Sequence, residues 1–187
     1  MQQMTEANTA ESVATIRQRW LEEERAVRAA MGQPGSATPD IIARYSGLEF
    51  LEAMARGELA YPPMADTLNF TLLHFEPGRV IFQGTPLFAH YNPIGSVHGG
   101  WFCTLLDSAL GCVVQTVVPK GRGYTTLELK VNMIRPLTAE TGPVRAEATL
   151  VHAGRQTGLA EARLYDCAGK IYASASTTCL IFDIAGR

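Results

Sequence analysis

The chain has 187 residues, is 47% hydrophobic and 18% charged, and carries a net charge of -2. That is enough to bury one sizeable core with an appendage. The composition lacks the basic cluster that nucleic-acid binding demands, although a few local arginines suffice for an acidic small ligand.

Residues 1–11 are polar and contain no apolar core of a secretion signal, so a cytoplasmic protein is expected. Residues 11–31 are rich in Glu, Arg and Ala, with Ile16, Trp20, Val27 and Met31 on about one helical face. An amphipathic helix is expected there, closed by Gly32 and Pro34. Residues 32–39 (GQPGSATP) form a linker. Ser46 and Glu49 make a capping-box pattern ahead of Leu48, Phe50, Leu51 and Met54, and Gly57 fits the stop, so a short helix is expected at 47–56.

From Asp66 the pattern becomes strand-like. Strands are expected at 67–75 and 79–85, joined by a Pro77-Gly78 turn. After a loop through Asn92-Pro93, a helix is expected from about His98 to Val118. Strands at 124–134, 144–153, 157–166 and 171–182 follow. Alternation is clearest where Arg145, Glu147 and Thr149 interleave with Val144, Ala146, Ala148 and Leu150. The order implies an α+β fold, a sheet of about five to six antiparallel strands wrapped on one long helix, with extra N-terminal helices. Residues 1–45 read as an N-terminal extension and linker, and 46–187 as the main domain. Trp101–Val118 is just too short to span a membrane and is interrupted by Asp107, so no membrane segment is expected. A second copy would cover what the sheet leaves open on the central helix.

The chemistry is concentrated in the central helix. Asp107 is its only charged residue, and a carboxylate in an apolar helix costs several kcal/mol unless paired or hydrogen-bonded. The helix opens on His98-Gly99-Gly100, where free backbone N–H groups and the positive end of the dipole can hold a polarised carbonyl oxygen. Eight residues separate Gly99 from Asp107, about 12 Å of helix. One reacting carbon cannot lie close to both. Either the two do unrelated jobs, or Gly99 of one subunit works with Asp107 of another.

The stretch Asn92-Pro93-Ile94-Gly95-Ser96-Val97-His98-Gly99-Gly100, followed by Leu105-Leu106-Asp107, resembles the signature of hotdog-fold acyl-CoA thioesterases. The likeness is greatest to the phenylacetate-degradation branch. It covers about residues 46–182, including Arg135-Pro136 and Gly154-Arg155-Gln156-Thr157. The resemblance implies a homodimer or homotetramer with one continuous sheet across the dimer, and thioester hydrolysis at the dimer interface. It makes Asp107 the nucleophile or general base and the Gly99 N–H the group that polarises the thioester carbonyl. Asn92 would orient the water or the carbonyl, and Thr126 would help to place the water.

Each of these residues also has a structural reading. His98 before a glycine pair suits a hydrogen-bonding role as well as a catalytic one. Asn92 before Pro93 suits a loop cap, and Thr126 is ordinary in a strand. Gly100, Trp101, Arg135 and Arg155 are candidate substrate contacts, the arginines for the phosphates of coenzyme A. Aromatics such as Trp101, Phe88 and Tyr91 are equally at home in a core. Cys103, Cys112, Cys167 and Cys179 lack metal-ligand spacing and read as reduced and structural. Neither a metal nor a separate cofactor is expected, since coenzyme A arrives as part of the substrate. The rival expectations are a non-catalytic acyl-CoA-binding module and an acyl-thioester dehydratase using His98 and Asp107.

Overall fold

In the computed structural model, which describes residues 11–184, four helices precede the first strand. They are α1 (Val13–Ala30), α2 (Pro39–Ile42), α3 (Gly47–Ala55) and α4 (Met64–Thr67). Strands β1 (Phe70–Glu76) and β2 (Arg79–Gly84) lead to the long helix α5 (Gly99–Gln115). Strands β3 (Arg122–Met133), β4 (Val144–Ala153), β5 (Thr157–Asp166) and β6 (Ile171–Asp183) complete the chain. All six strands form one antiparallel sheet in the order β1-β2-β4-β5-β6-β3, which leaves β1 and β3 as its edges.

The sheet curls around α5, giving the hotdog arrangement. Inward side chains such as Val80, Phe82, Val144, Ala146, Ala148 and Leu164 are buried against Leu105, Leu106, Leu110, Val113 and Val114. This period-2 burial explains why β4 and β5 are bounded where their alternation suggested. The helix itself differs from expectation. It is not apolar on every side: Cys103, Thr104, Asp107, Ser108, Cys112 and Gln115 form a half-buried polar stripe between its core positions. Asp107 is therefore half-buried rather than sealed in the core.

Helix α1 covers the opposite face of the sheet over β1, β2 and β4. Trp20 and Glu24 are its buried residues, and the contact is made by polar groups. The Gln83 amide donates to the Trp20 carbonyl (3.1 Å) and to Glu24 (2.8 Å), while Arg145 donates to Gln83 (3.0 Å) and to Glu23. The Arg145 guanidinium also lies 4.1 Å from the centre of the Trp20 ring. The linker is not free either. Pro34 makes a parallel bridge with Tyr61, with Gly35 N–H on the Tyr61 carbonyl and Tyr61 N–H on that of Gln33.

Helix α3 forms as expected, with Ser46 and Glu49 closing a reciprocal capping box. Gly57 ends it at φ 74°, a conformation costly to a residue with a Cβ. Two short helices, α2 and α4, take up stretches expected to be loop or strand. Among the described residues, no helix is long and apolar enough to cross a membrane.

Candidate active site

The polar stripe of α5 borders a largely apolar cavity of about 270 Å³. Asp107 and Thr126 lie on its wall, and the Thr126 hydroxyl donates to Asp107 Oδ1 at 3.0 Å. Among the described residues this is the one side-chain hydrogen bond to Asp107, and no cation pairs with it. A carboxylate so lightly held keeps lone pairs free to act on a substrate or a water. Thr126 owes its place to a bulge in β3: it pairs with Cys179, and Glu128 with Thr178, so Leu127 is left without a partner on β6.

The start of α5 is organised differently. His98 is the N-cap, and its Nδ1 accepts the Gly100 N–H at 2.8 Å. The Trp101 N–H goes to the His98 carbonyl. The Gly99 N–H finds no partner among the described residues, which leaves a donor at the positive end of the helix. Gly100 cannot offer the same, because His98 already takes its N–H.

Asn92 shapes the loop before the helix. Its Oδ1 accepts from the N–H groups of Ile94 (3.0 Å) and Ser96 (3.2 Å), and its Nδ2 donates to Ser96 Oγ (3.1 Å). This is an Asx-type turn, the loop-capping role that Asn before Pro suggested. Asn92, Gly99, Met133 and Arg135 line a second, open groove of about 320 Å³.

Within one chain, then, Asp107 and Thr126 share one cavity, while Asn92, Gly99 and Arg135 share another. Trp101 lines neither: it is 3% exposed, and its indole N–H donates to the Leu68 carbonyl at 2.8 Å, which makes it a core residue. Arg135 is exposed and donates to the Ile171 carbonyl. Arg155 is also exposed, in the β4–β5 turn, where its carbonyl accepts from Arg122 (2.7 Å) at the far end of β3 from Arg135. The two arginines cannot reach one ligand within a single chain.

The cysteines are all unpaired. Cys112 reaches the cavity wall, but desolvation pushes its thiol up to about 12. It therefore stays protonated near neutrality and does not compete as a nucleophile. Tyr124, packed beside it, is raised well above its usual range, mainly by burial. What sequence reasoning missed is the cavity itself. Its far wall comes from Met31, Phe50, Met54 and Met64, which belong to the N-terminal helices and their flanking segments and read in sequence as ordinary packing residues.

Residues 94–172 match the family model of the thioesterase superfamily. A Halobacterium salinarum protein bearing an esterase name is 38% identical over 69 residues, 36% of this chain. The match spans 44% of that relative's length. Among solved structures, a phenylacetic acid degradation-related protein of thioesterase type from Ralstonia eutropha is 29% identical with a TM-score of 0.65, covering 70% of this chain and 98% of its own. A Streptococcus mutans protein bound to acetyl CoA is 26% identical with a TM-score of 0.56, covering 62% of this chain and 90% of its own. The likeness to hotdog-fold thioesterases of the phenylacetate-degradation type is borne out on both sequence and fold.

Proposed function

We propose that the protein hydrolyses an acyl-CoA thioester to the free acid and coenzyme A, at a site built from two subunits. The observation that carries this reading is the division of labour just described. A lightly held carboxylate borders an apolar cavity, and the Gly99 N–H, without a partner among the described residues, lies in a different groove. The acetyl CoA held by the S. mutans relative supports a CoA thioester as the substrate class.

Strand β3 supports the way the halves meet. It is an edge strand of 12 residues with exposed Leu127 and Met133, a long unprotected edge of the kind that pairs with another chain. An antiparallel β3–β3 pairing centred near Leu129 sets Thr126 opposite Asn132 of the partner subunit. Met133, the next residue, is the one against which Gly99 packs: a Cβ on Gly99 would come within 2.9 Å of its Cε. The Gly99 N–H of one subunit then comes to the Asp107 of the other. The same register brings Arg122, and the neighbouring Arg155, towards Arg135 of the partner subunit, so Arg155 and Arg135 of the partner subunit flank the phosphate end of one ligand.

In this site the Gly99 N–H donates to the thioester oxygen as it gains negative charge. Asp107 either attacks the carbonyl carbon or takes a proton from the water that does. In the first case the C–S bond breaks, the thiolate leaves, and water then hydrolyses the acyl–aspartyl anhydride. In the second, water becomes the hydroxyl of the free acid and its proton passes to the thiolate. Because coenzyme A thiolate is a good leaving group, no strong general acid is needed. His98, exposed and engaged as a helix cap, gives the dehydratase reading no support.

Free-thiol release from acyl-CoAs, compared between the wild type and Asp107→Asn, tests the proposal. A loss of about 10²–10⁴-fold in kcat with unchanged circular dichroism is expected. Full turnover by the variant would refute it. Tight acyl-CoA binding without any turnover by the wild type would point to the binding-module alternative.

A further inference from the structure

The cavity beside Asp107 says something about the acyl group. Taking about 30 Å³ per carbon, close to a water molecule's share of the liquid, its volume of about 270 Å³ holds roughly nine carbons. Met31, Met54 and Met64 line it, and methionine walls adapt to a flexible chain more readily than they define a slot for a rigid ring.

The polar groups on its walls are largely occupied by the protein. The Thr71 hydroxyl contacts Met31 Sδ (3.2 Å), Ser108 Oγ donates to the Thr104 carbonyl (2.9 Å), and the Tyr61 hydroxyl donates to Asp66 (2.9 Å). Among the described residues, no buried side-chain polar atom lacks a partner. A site built to recognise a hydroxylated acyl group keeps such atoms free for it.

The cavity ends at Phe50, Gln115 and Tyr124. These three residues also line a neighbouring groove of about 280 Å³, walled further by Ile42, Tyr45 and Phe182. They form a partition between two apolar chambers that lie in series along α5. Phe50 is half-buried and packs edge-to-face on Tyr45, with ring centres 6.3 Å apart.

We infer that this cavity takes an unsubstituted aliphatic acyl chain of about eight to ten carbons, and that Phe50, on the partition, sets the length limit. The inference rests on the thioesterase reading above and adds the substrate class to it. The chain enters past Asp107 and Thr126, runs between α5 and α3, and stops at Phe50. Removing the phenyl ring joins the two chambers.

The test measures straight-chain acyl-CoAs from acetyl to palmitoyl, with hydroxyphenylacetyl-CoA beside them, on the full chain, Phe50→Ala and Phe50→Trp. Free-thiol release gives kcat/KM, and calorimetric binding to the Asp107→Asn chain gives the same length profile without turnover. We expect both to rise about fourfold per methylene, the equivalent of burying one, up to eight to ten carbons and to fall beyond. Phe50→Ala should move the optimum to twelve or more carbons and Phe50→Trp to six or fewer, with circular dichroism unchanged. An optimum at acetyl or on the hydroxylated ring would overturn the inference, as would two folded Phe50 variants with the wild-type profile. Thiol release with no length dependence sinks the pocket assignment and leaves the hydrolase reading standing. A length-dependent affinity without thiol release does the reverse.

Discussion

The two ends of the proposed reacting apparatus are built in opposite ways, although one helix carries both. At the start of α5 the protein uses its own polar groups: His98 takes the Gly100 N–H, Asn92 ties down Ile94 and Ser96, and among the described residues the Gly99 N–H has no partner. Two turns on, Asp107 has a single neutral donor and an apolar cavity beside it. The first region is tied by its own hydrogen bonds and open to solvent, and offers a donor. The second is sheltered and offers a charge. Each lacks what the other supplies, and about 12 Å of helix keeps them apart within one chain. A helix with half a site at each of two places works if a two-fold axis superposes the halves, and the bare edge of β3 is where such an axis fits.

The comparison can be broken at either end. The largest effect is expected at the charge, where Asp107→Asn removes the proposed reacting group. Next comes the donor. Gly99→Pro deletes the N–H at the first position of the helix, where proline is well tolerated, and His98 already holds the extended conformation (φ -61°, ψ 138°) that a residue before proline prefers. A Cβ at this position meets only the flexible tip of Met133. We expect a loss of about 10²–10³-fold in kcat with little change in Tm. A variant that unfolds would show that Gly99 is needed for packing, and a fully active one that its N–H plays no part.

A third change should leave chemistry alone. Arg145→Ala removes the cation that joins Gln83, Glu23 and the Trp20 ring, so it should cost about 2–4 kcal/mol in stability with kcat nearly unchanged. Acid should act on the same contact. Burial pushes the Glu23 carboxyl up, but the hydrogen bond and charge of Arg145, with His74 beside it, outweigh that and hold it below its ordinary value. Its contribution is therefore present above the ordinary carboxylate range and is lost as pH falls through the lowered value. Thermal unfolding of both proteins from pH 7 down to 3 checks this, and an equal decline in Arg145→Ala and wild type would contradict it.

Much of the fold was legible because its signals are local. The capping box at Ser46 and Glu49, the strict alternation of β4 and β5 and the apolar core positions of α5 each act over a few residues. The Pro34–Tyr61 bridge and the short helices α2 and α4 depend on distant partners and were not legible. At the site, the spacing of Asn92, Gly99 and Asp107 was visible, but not which of these groups the protein keeps for itself. That His98 and Asn92 bind their own loop, and that Trp101 is core, follows from hydrogen bonds a sequence does not display. The cavity beside Asp107 was hidden for a different reason: Phe50 and Met54 have the same pattern whether they line a void or fill one.

The shared site is tested most directly by mixing. Asp107→Asn and Gly99→Pro chains, each nearly inactive alone, are unfolded together, refolded together and assayed for thiol release. A heterodimer would hold one site with both groups intact and one with neither. Random pairing makes half of all dimers heterodimers, so about a quarter of wild-type activity should return. A mixture as inactive as its components would place Gly99 and Asp107 in the same chain's chemistry and contradict the account.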